Sequence, residues 1–203
     1  GPSFVLMPDF FREVFADCGA SLADYLDLRV LPVSYKIYYP DGDVLTVYQD
    51  RQKTRAELDR LERGAGDRLE DFIRETGRIY QAVHPLLYKC FTPRDLLRPR
   101  YWNLLIRLRP FATYWQLARR FFKSEKICYA MTFEAMFIGV SPFRTPAFYS
   151  VISYTDHVDK IAHPMGGMYQ VPLALERLGR RMGVRYHYGA EVTSVRPVSG
   201  GVR

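Results

Sequence analysis

Between Val33 and Tyr48 the sequence alternates and then turns back on itself. Val33-Ser34-Tyr35-Lys36-Ile37-Tyr38-Tyr39 carries the two-residue period of a strand. Pro40-Asp41-Gly42-Asp43 supplies tight-turn chemistry, and Val44-Leu45-Thr46-Val47-Tyr48 is the return strand. An isolated hairpin is at best marginally stable in water, so something must cover one face of it. The next residues offer that cover. Apolar side chains at helical spacing predict one helix over about Arg51 to Arg63. They predict a second from Asp67 through Phe72, Ile73, Ile79 and Tyr80, with Gly64-Ala65-Gly66 between the two.

The other elements are mostly helical. Pro8-Asp9 opens a helix that Gly19 ends, and a short helix follows around Leu22 to Leu28. Glu125 to Ile138 reads as a helix with Ile127, Ala130, Met131, Glu134 and Ile138 on one side, stopped at Gly139-Val140-Ser141-Pro142. Pro146 to Val158 reads as a further aromatic helix. The chain then changes character. His163-Pro164-Met165-Gly166-Gly167-Met168 is a glycine loop that enters a helix from about Tyr169 to Arg181. Gly183 ends that helix, and strands are predicted at Val184 to His187 and Glu191 to Pro197. Helix, glycine, strand, turn, strand is the rhythm of an α/β dinucleotide-binding half. The expected fold class is α+β: a helical, aromatic-rich domain with a hairpin over residues 1–160, then the start of an α/β unit over 161–203. The final residues stop where a hairpin should continue, which reads as a truncation.

Charge is unevenly placed. The net charge is +7, yet the stretch from Pro85 to Lys126 alone carries +8 and the remainder −1. Both tryptophans, Trp102 and Trp115, lie in that stretch, among Leu86-Leu87-Tyr88, Leu104-Leu105-Ile106 and Phe121-Phe122. Cations interleaved with Trp, Tyr and Leu mark a segment that lies in a membrane interface. Trp102, Arg107, Arg109, Trp115, Arg119 and Arg120 are its candidate contacts, over about 85–126. The alternative is a helical lid with a solvated basic face, and Pro93, Pro99 and Pro110 break the stretch into short pieces. Nucleic acid is a poorer partner, because a phosphate-tracking groove needs accessible cations rather than Leu-Leu-Ile runs.

Other chemistry is excluded by spacing. Cys18, Cys90 and Cys128 are odd in number and far apart, which argues against a disulfide framework or a zinc site. His84, His157, His163 and His187 lack ligand spacing, so no metal is expected. No apolar run is long enough to cross a bilayer.

The order of motifs resembles the phytoene desaturase family of carotenoid desaturases. Gly1-Pro2-Ser3 followed by Pro8 resembles the family's lead-in to its substrate domain. Tyr38-Tyr39-Pro40-Asp41-Gly42 resembles its hairpin, and Phe91-Thr92-Pro93-Arg94-Asp95-Leu96-Leu97-Arg98 its Arg-Asp-x-Leu-Arg segment. Gly139-Val140-Ser141-Pro142-Phe143 resembles the turn before an aromatic helix. His163 to Met168 resembles an aromatic-Pro-x-Gly-Gly-Met/Thr loop, with Leu175 to Val195 following the same pattern. The resemblance covers essentially the whole chain, and the last of these motifs also occurs in flavin amine oxidases and protoporphyrinogen oxidases. His163 stands where the family has an aromatic, and Met165 where it often has a basic or small residue. The family's G-x-G-x-x-G pyrophosphate turn is absent from this sequence.

The resemblance implies FAD as cofactor and a linear polyene precursor, phytoene or diapophytoene, as substrate. It implies hydride transfer from an allylic position to the flavin, and a peripheral position on the cytoplasmic side of a membrane. Pro164, Gly166, Gly167 and Met168 would lie at the flavin ring, because a glycine pair lets backbone approach a flat ring closely. The other reading of that pair is a plain turn. Arg94 and Asp95 are candidates for the polar pair at the reacting end, or else a surface ion pair. Phe133, Phe137, Phe148, Tyr149 and Tyr154 are candidate tunnel lining, or else core. A retinol-saturase-like or amine-oxidase-like enzyme, or a non-catalytic lipid-binding module, are the competing readings.

Overall fold

The structure is a computed structural model that describes residues 3–84, 92, 94, 98, 112–199, 201 and 202. Among the described residues every strand pair is antiparallel and two-stranded. The organising pair is the hairpin β2 (Val33–Tyr38) with β3 (Val44–Tyr48), in register from Tyr38 opposite Val44 to Val33 opposite Tyr48, with a bulge between Val33 and Tyr35. At its turn the Asp43 carbonyl accepts from Tyr39 N–H at 2.9 Å and the Tyr39 carbonyl from Gly42 N–H at 3.0 Å. Gly42 sits at φ +85°, which is why glycine follows the aspartate there.

Helices cover this hairpin. Helix α2 (Arg51–Leu61) is capped by Asp50, whose carboxylate accepts from the Gln52 and Lys53 amides. Helix α3 (Ala65–Val83) lies against it. The corner between them is glycine-built: Gly64 is left-handed at φ +76°, and a side chain at Gly66 would meet the Arg55 carbonyl at 2.9 Å. The Gly66 amide donates to Asp59 at 2.9 Å. This glycine pair therefore closes a helix–helix corner. Thr113 caps the short α4 (Tyr114–Arg119) in a reciprocal box with Gln116. Helix α5 (Glu125–Ala130) follows, and Glu62 accepts from the Lys123 and Ser124 amides at 2.9 and 2.7 Å to fix its entry. Leu45, Leu58, Phe72, Tyr114, Phe122 and Ile127 are fully buried in one core. At roughly 1.5–3 kcal/mol for each large apolar side chain removed from water, that core holds the hairpin to the helices.

A second, smaller cluster joins the chain's two regions. Helix α1 (Pro8–Asp17) contributes Phe15, the turn at Leu22–Asp24 contributes Leu22, and Leu26 follows. Helix α7 (Gln170–Arg181) contributes Ala174 and Leu178. Beside them β1 (Leu28–Val30) pairs with β4 (Ala162–Pro164), and Val5 bridges Ala162 as well. This cluster draws on both sides of residue 160.

Two segments differ from expectation. The helix expected over 125–138 ends at Ala130 and resumes as a 3₁₀ turn, Phe133–Ile138. At the break the Thr132 hydroxyl donates to the Cys128 carbonyl at 2.7 Å, and Thr132 itself leaves helical geometry. The helix expected over 146–158 is a 3₁₀ turn, Ala147–Ser150, running into α6 (Val151–Asp159). The strands expected at 184–187 and 191–197 are irregular, with Val192 and Val195 77% and 64% exposed. A strand needs a neighbour to satisfy its backbone, and the described chain supplies only the two-residue pair Pro197–Val198 with Gly201–Val202.

Candidate functional site

Two neighbouring features combine apolar cover with chemistry. The first is a small cleft of about 70 Å³ lined by Phe4, Leu6, Tyr35, Phe133, Phe137 and Ile161, with Ser34, Ile152 and Asp156 completing it. The hairpin supplies Tyr35 on β2, the 3₁₀ turn supplies the two phenylalanines, and α6 supplies Ile152 and Asp156 one helical turn apart. The ring of Tyr35 lies 4.3 Å from that of Phe133, and Phe133 meets Phe137 edge-on at 5.4 Å. Phe137 is 46% exposed and forms the rim, while Asp156 is only 2% exposed.

Asp156 has a second buried acid for company. Glu134, 1% exposed, accepts from the Tyr114 hydroxyl at 3.2 Å. Burial, then the charge of Asp156, pushes Glu134 up to about 8. Burial pushes Asp156 up to about 7, opposed by the nearby Ser34 hydroxyl. Neither Asp156 oxygen makes a hydrogen bond of normal geometry among the described residues, nor does Oε1 of Glu134. Tyr35 and Tyr114 are raised as well, first by burial and then by Glu134. Glu134 is therefore mostly protonated at neutrality and Asp156, at the wall of the oily cleft, stands close to its midpoint there.

The second feature is the glycine loop. Strand β4 links the two: Ile161 lines the cleft just before it and Pro164 ends it, about 10 Å away at strand rise. Gly167 N–H closes a turn on the Pro164 carbonyl at 3.0 Å, and Met165 N–H is tied to the Asp27 carbonyl at 2.8 Å. Gly166 and Gly167 sit at φ +87° and +91°. A side chain at Gly166 would press on Gln170, whereas one at Gly167 would meet open space. The loop thus presents bare backbone outward, with Pro164 buried beneath it and Met168 half-buried beside it. That surface suits a flat ring.

The remaining expected residues are dispersed. Phe148 and Tyr149 stack on each other at 4.5 Å, with Phe148 against the main core. Tyr154 lies on the opposite side of α6 from Asp156, against Gly77 and 4.9 Å from Tyr80. It lines a wider groove with Arg51, Glu70, Arg74 and Arg78, whose charges are paired. Trp115 is half-buried against Tyr129 and Phe143, at 4.8 and 4.6 Å. Arg119 donates to the Lys123 carbonyl, and Arg120 lies 4.0 Å from Glu75. Arg94 is exposed. Asp95, Trp102, Arg107 and Arg109 lie outside the described residues. Asp156 was missed by sequence reasoning. Its only signal was its helical spacing from Ile152, which places it on a buried face.

No family model matches the chain. Curated relatives do, along its full length. The zeta-carotene-forming phytoene desaturase of Myxococcus xanthus is 35% identical over 206 residues, covering 100% of this chain and 40% of that protein. The phytoene desaturase of Neurospora crassa is 34% identical, covering 96% of this chain and 34% of that protein. The carotenoid 3,4-desaturase of Haloarcula japonica is 32% identical, covering 96% and 40%. The chain thus spans at most 40% of the length of each of these relatives. From end to end, this chain is homologous to one segment of the phytoene and carotenoid desaturases.

Proposed function

We propose that this chain is the substrate-side segment of an FAD-dependent carotenoid desaturase acting on a linear polyene such as phytoene or diapophytoene. The observation that carries the reading is the pairing of an outward-facing glycine loop with an aromatic cleft through one short strand, in a chain homologous throughout to desaturases. When bound, the flavin supplies the two-electron acceptor that the side chains here lack. Pro164, Gly166, Gly167 and Met168 would hold its ring by backbone contact. The residues 1–160 are read as the substrate-binding part and 161–203 as part of the flavin-binding part. A polyene has almost no polar handle, so binding draws on buried apolar area, and Phe133 and Phe137 offer it. Arg94 and Asp95 remain the candidate polar pair at the reacting end.

The reading also seats the protein peripherally on the cytoplasmic face of a membrane, since such a substrate dissolves in lipid. Among the described residues no helix is long and apolar enough to cross a membrane.

The test uses a full-length protein carrying this segment, in a host that accumulates phytoene. The purified protein should be yellow with flavin, and the host should gain conjugated polyene. Gly167→Leu, strained at a positive φ and intruding on the outward face, should lower flavin retention about tenfold while the fold is kept. A colourless full-length protein that leaves phytoene unchanged defeats the reading.

A further inference from the structure

We propose that the 3₁₀ turn Phe133–Ile138 is a lid over the aromatic cleft, swinging on Thr132 and Gly139 and latched by the Glu134 side chain, and that it opens to admit the end of a linear apolar chain. The identity of that guest rests on the reading above, whereas the motion itself does not.

The cleft is shut as it stands. Pockets that enclose a ligand run to roughly 300–1,000 Å³, and this one measures about 70 Å³. Most of its walls are fixed. Tyr35 sits in the hairpin, Ile152 and Asp156 lie on α6, which packs on α3, and Phe4, Leu6 and Ile161 flank the bridge from Val5 to Ala162. The remaining wall, Phe133 and Phe137, belongs to one short turn. That turn is a 3₁₀ segment of 6 residues, in a geometry whose hydrogen bonds are poorer than those of an α-helix and which often marks a hinge.

The turn is strung between anchored ends. Ahead of it the Thr132 hydroxyl is bonded to the Cys128 carbonyl at 2.7 Å. Beyond it the Pro142 and Thr145 carbonyls accept from the Trp115 and Tyr114 amides at 3.1 and 2.7 Å. Between these ties, among the described residues, the backbone bonds of the turn reach no further than Thr132 and Val140. It can therefore move as one piece without unpairing a backbone group on another element. Its ends supply the pivots: Thr132 stands at φ −131° and ψ 2°, outside helical geometry, and Gly139 at φ +72°.

Side chains hold the turn down. Phe133 rests on Tyr35 at 4.3 Å and Phe137 on Phe4 at 5.7 Å. Met136 and Ile138 are bare on the outside, at 72% and 41% exposure, so outward motion disturbs little there. The side chains buried beneath are Glu134 and Ala135. An acid in that place makes the latch conditional. Glu134 accepts from Tyr114 of α4, with Asp156 and Ser153 of α6 and Tyr35 of β2 as its other polar neighbours. Under the closed lid its carboxyl ionises near 8, and in water it would return towards its ordinary 4.5. The closed form thus keeps a proton that the open form releases, and closure weakens as pH rises from about 5 to about 8.

Amide hydrogen exchange, read by mass spectrometry on a full-length protein carrying this segment, tests the lid. At one pH, residues 135–140 should exchange at least about tenfold faster than α5 and α6, and urea should accelerate them less steeply than those helices. Corrected for the intrinsic pH dependence of exchange, their protection should fall from about pH 5 to about pH 8, and much less so in Glu134→Gln. Glu134→Ala should speed their exchange about tenfold at pH 6, and Glu134→Gln serves if that variant does not fold. Squalene, a linear isoprenoid that needs no flavin to bind, should prop the lid and speed exchange at 135–140 while leaving α5 and α6 unchanged. Exchange at 135–140 in step with α5 and α6 overturns the proposal. So does a pH dependence that Glu134→Gln leaves intact, or exchange at 135–140 that squalene does not alter. Flavin colour and phytoene conversion are read on the same preparation. Colourless, inactive protein whose lid opens in this way defeats the desaturase reading alone, and yellow, active protein whose 135–140 amides move only with α5 and α6 defeats this inference alone.

Discussion

Glu134 and Asp156 are carboxyls held where a negative charge is expensive, and the cost has a definite sign with pH. In the unfolded chain they ionise near their ordinary values of 4.5 and 3.8, and in the fold only near 8 and 7. Below about pH 4 both states hold the protons and the pair's contribution is complete. As pH rises, the unfolded chain releases protons that the fold retains, so stability drains away until both folded values are passed. His157 works the other way. Burial and Arg51 lower it to about 4, so its contribution is lost as pH falls below its ordinary 6.5. Two groups outweigh one. The melting temperature should therefore fall between about pH 5 and about pH 8, and Glu134→Gln or Asp156→Asn should each make that fall shallower, Glu134→Gln over the whole range and Asp156→Asn below about pH 7. Scanning calorimetry across that range decides it, and a flat wild-type profile refutes it. The sequence placed Glu134 on the inner side of its segment among Ile127, Ala130 and Met131. For Asp156, beside His157 and two residues from Tyr154, the one sign was its spacing from Ile152, which does not by itself separate a buried carboxyl from a solvated one.

At the scale of elements, the contact of α3 with α6 turns on one glycine. A methyl group at Gly77 would lie 2.7 Å from the Tyr154 ring, too close for the two helices as they stand. Helix propensity alone favours alanine there by about 1 kcal/mol, so the two effects oppose. Overpacking wins if the ring cannot move, and the Tyr80 ring, tilted against it at 4.9 Å, restricts that movement. Gly77→Ala should destabilise by about 1–3 kcal/mol in urea titration, and adding Tyr154→Ala should show strong non-additivity. A stabilised Gly77→Ala protein would mean that the ring simply swings away. The hairpin and α2 were readable because their periods and turn residues act locally. The break at 131–132 was not, since Thr132 gives up helical geometry for a bond to Cys128 that apolar spacing cannot reveal. The missing strands near the C-terminal end failed for want of neighbours, which local sequence does not supply.

For the whole molecule, cations and apolar surface gather in one region. Arg119, Arg120 and Lys123 are exposed on and after α4. Met136, Ile138, Val140 and Phe143 are 41–72% exposed after α5, with Trp115 packed against Phe143. If that region rests on lipid, a protein carrying this segment should float with anionic vesicles at low salt and release as salt rises. Arg119→Glu with Arg120→Glu should weaken that binding, by about 1 kcal/mol for each cation lost. Met136→Ser with Ile138→Ser should weaken it at every salt concentration. Failure to float even at low salt excludes the surface from that role. Charge imbalance pointed to this part of the chain from sequence alone. The exposed run at 136–143 escaped notice, because spacing suited to a buried helix face looks the same on paper as a bare ridge.

The antiparallel pairing of residues 28–30 with 162–164 has a consequence for how the chain comes into being. During translation residues 28–30 emerge roughly 130 residues ahead of the strand that pairs with them. At 5–20 residues per second that is a wait on the order of ten seconds. Phe15, Leu22 and Leu26 spend at least that long without Ala174 and Leu178, while the hairpin and its helices can already collapse. The segment closes like a buckle, its tongue made first and its clasp last, and in that interval a chaperone has the most to hold.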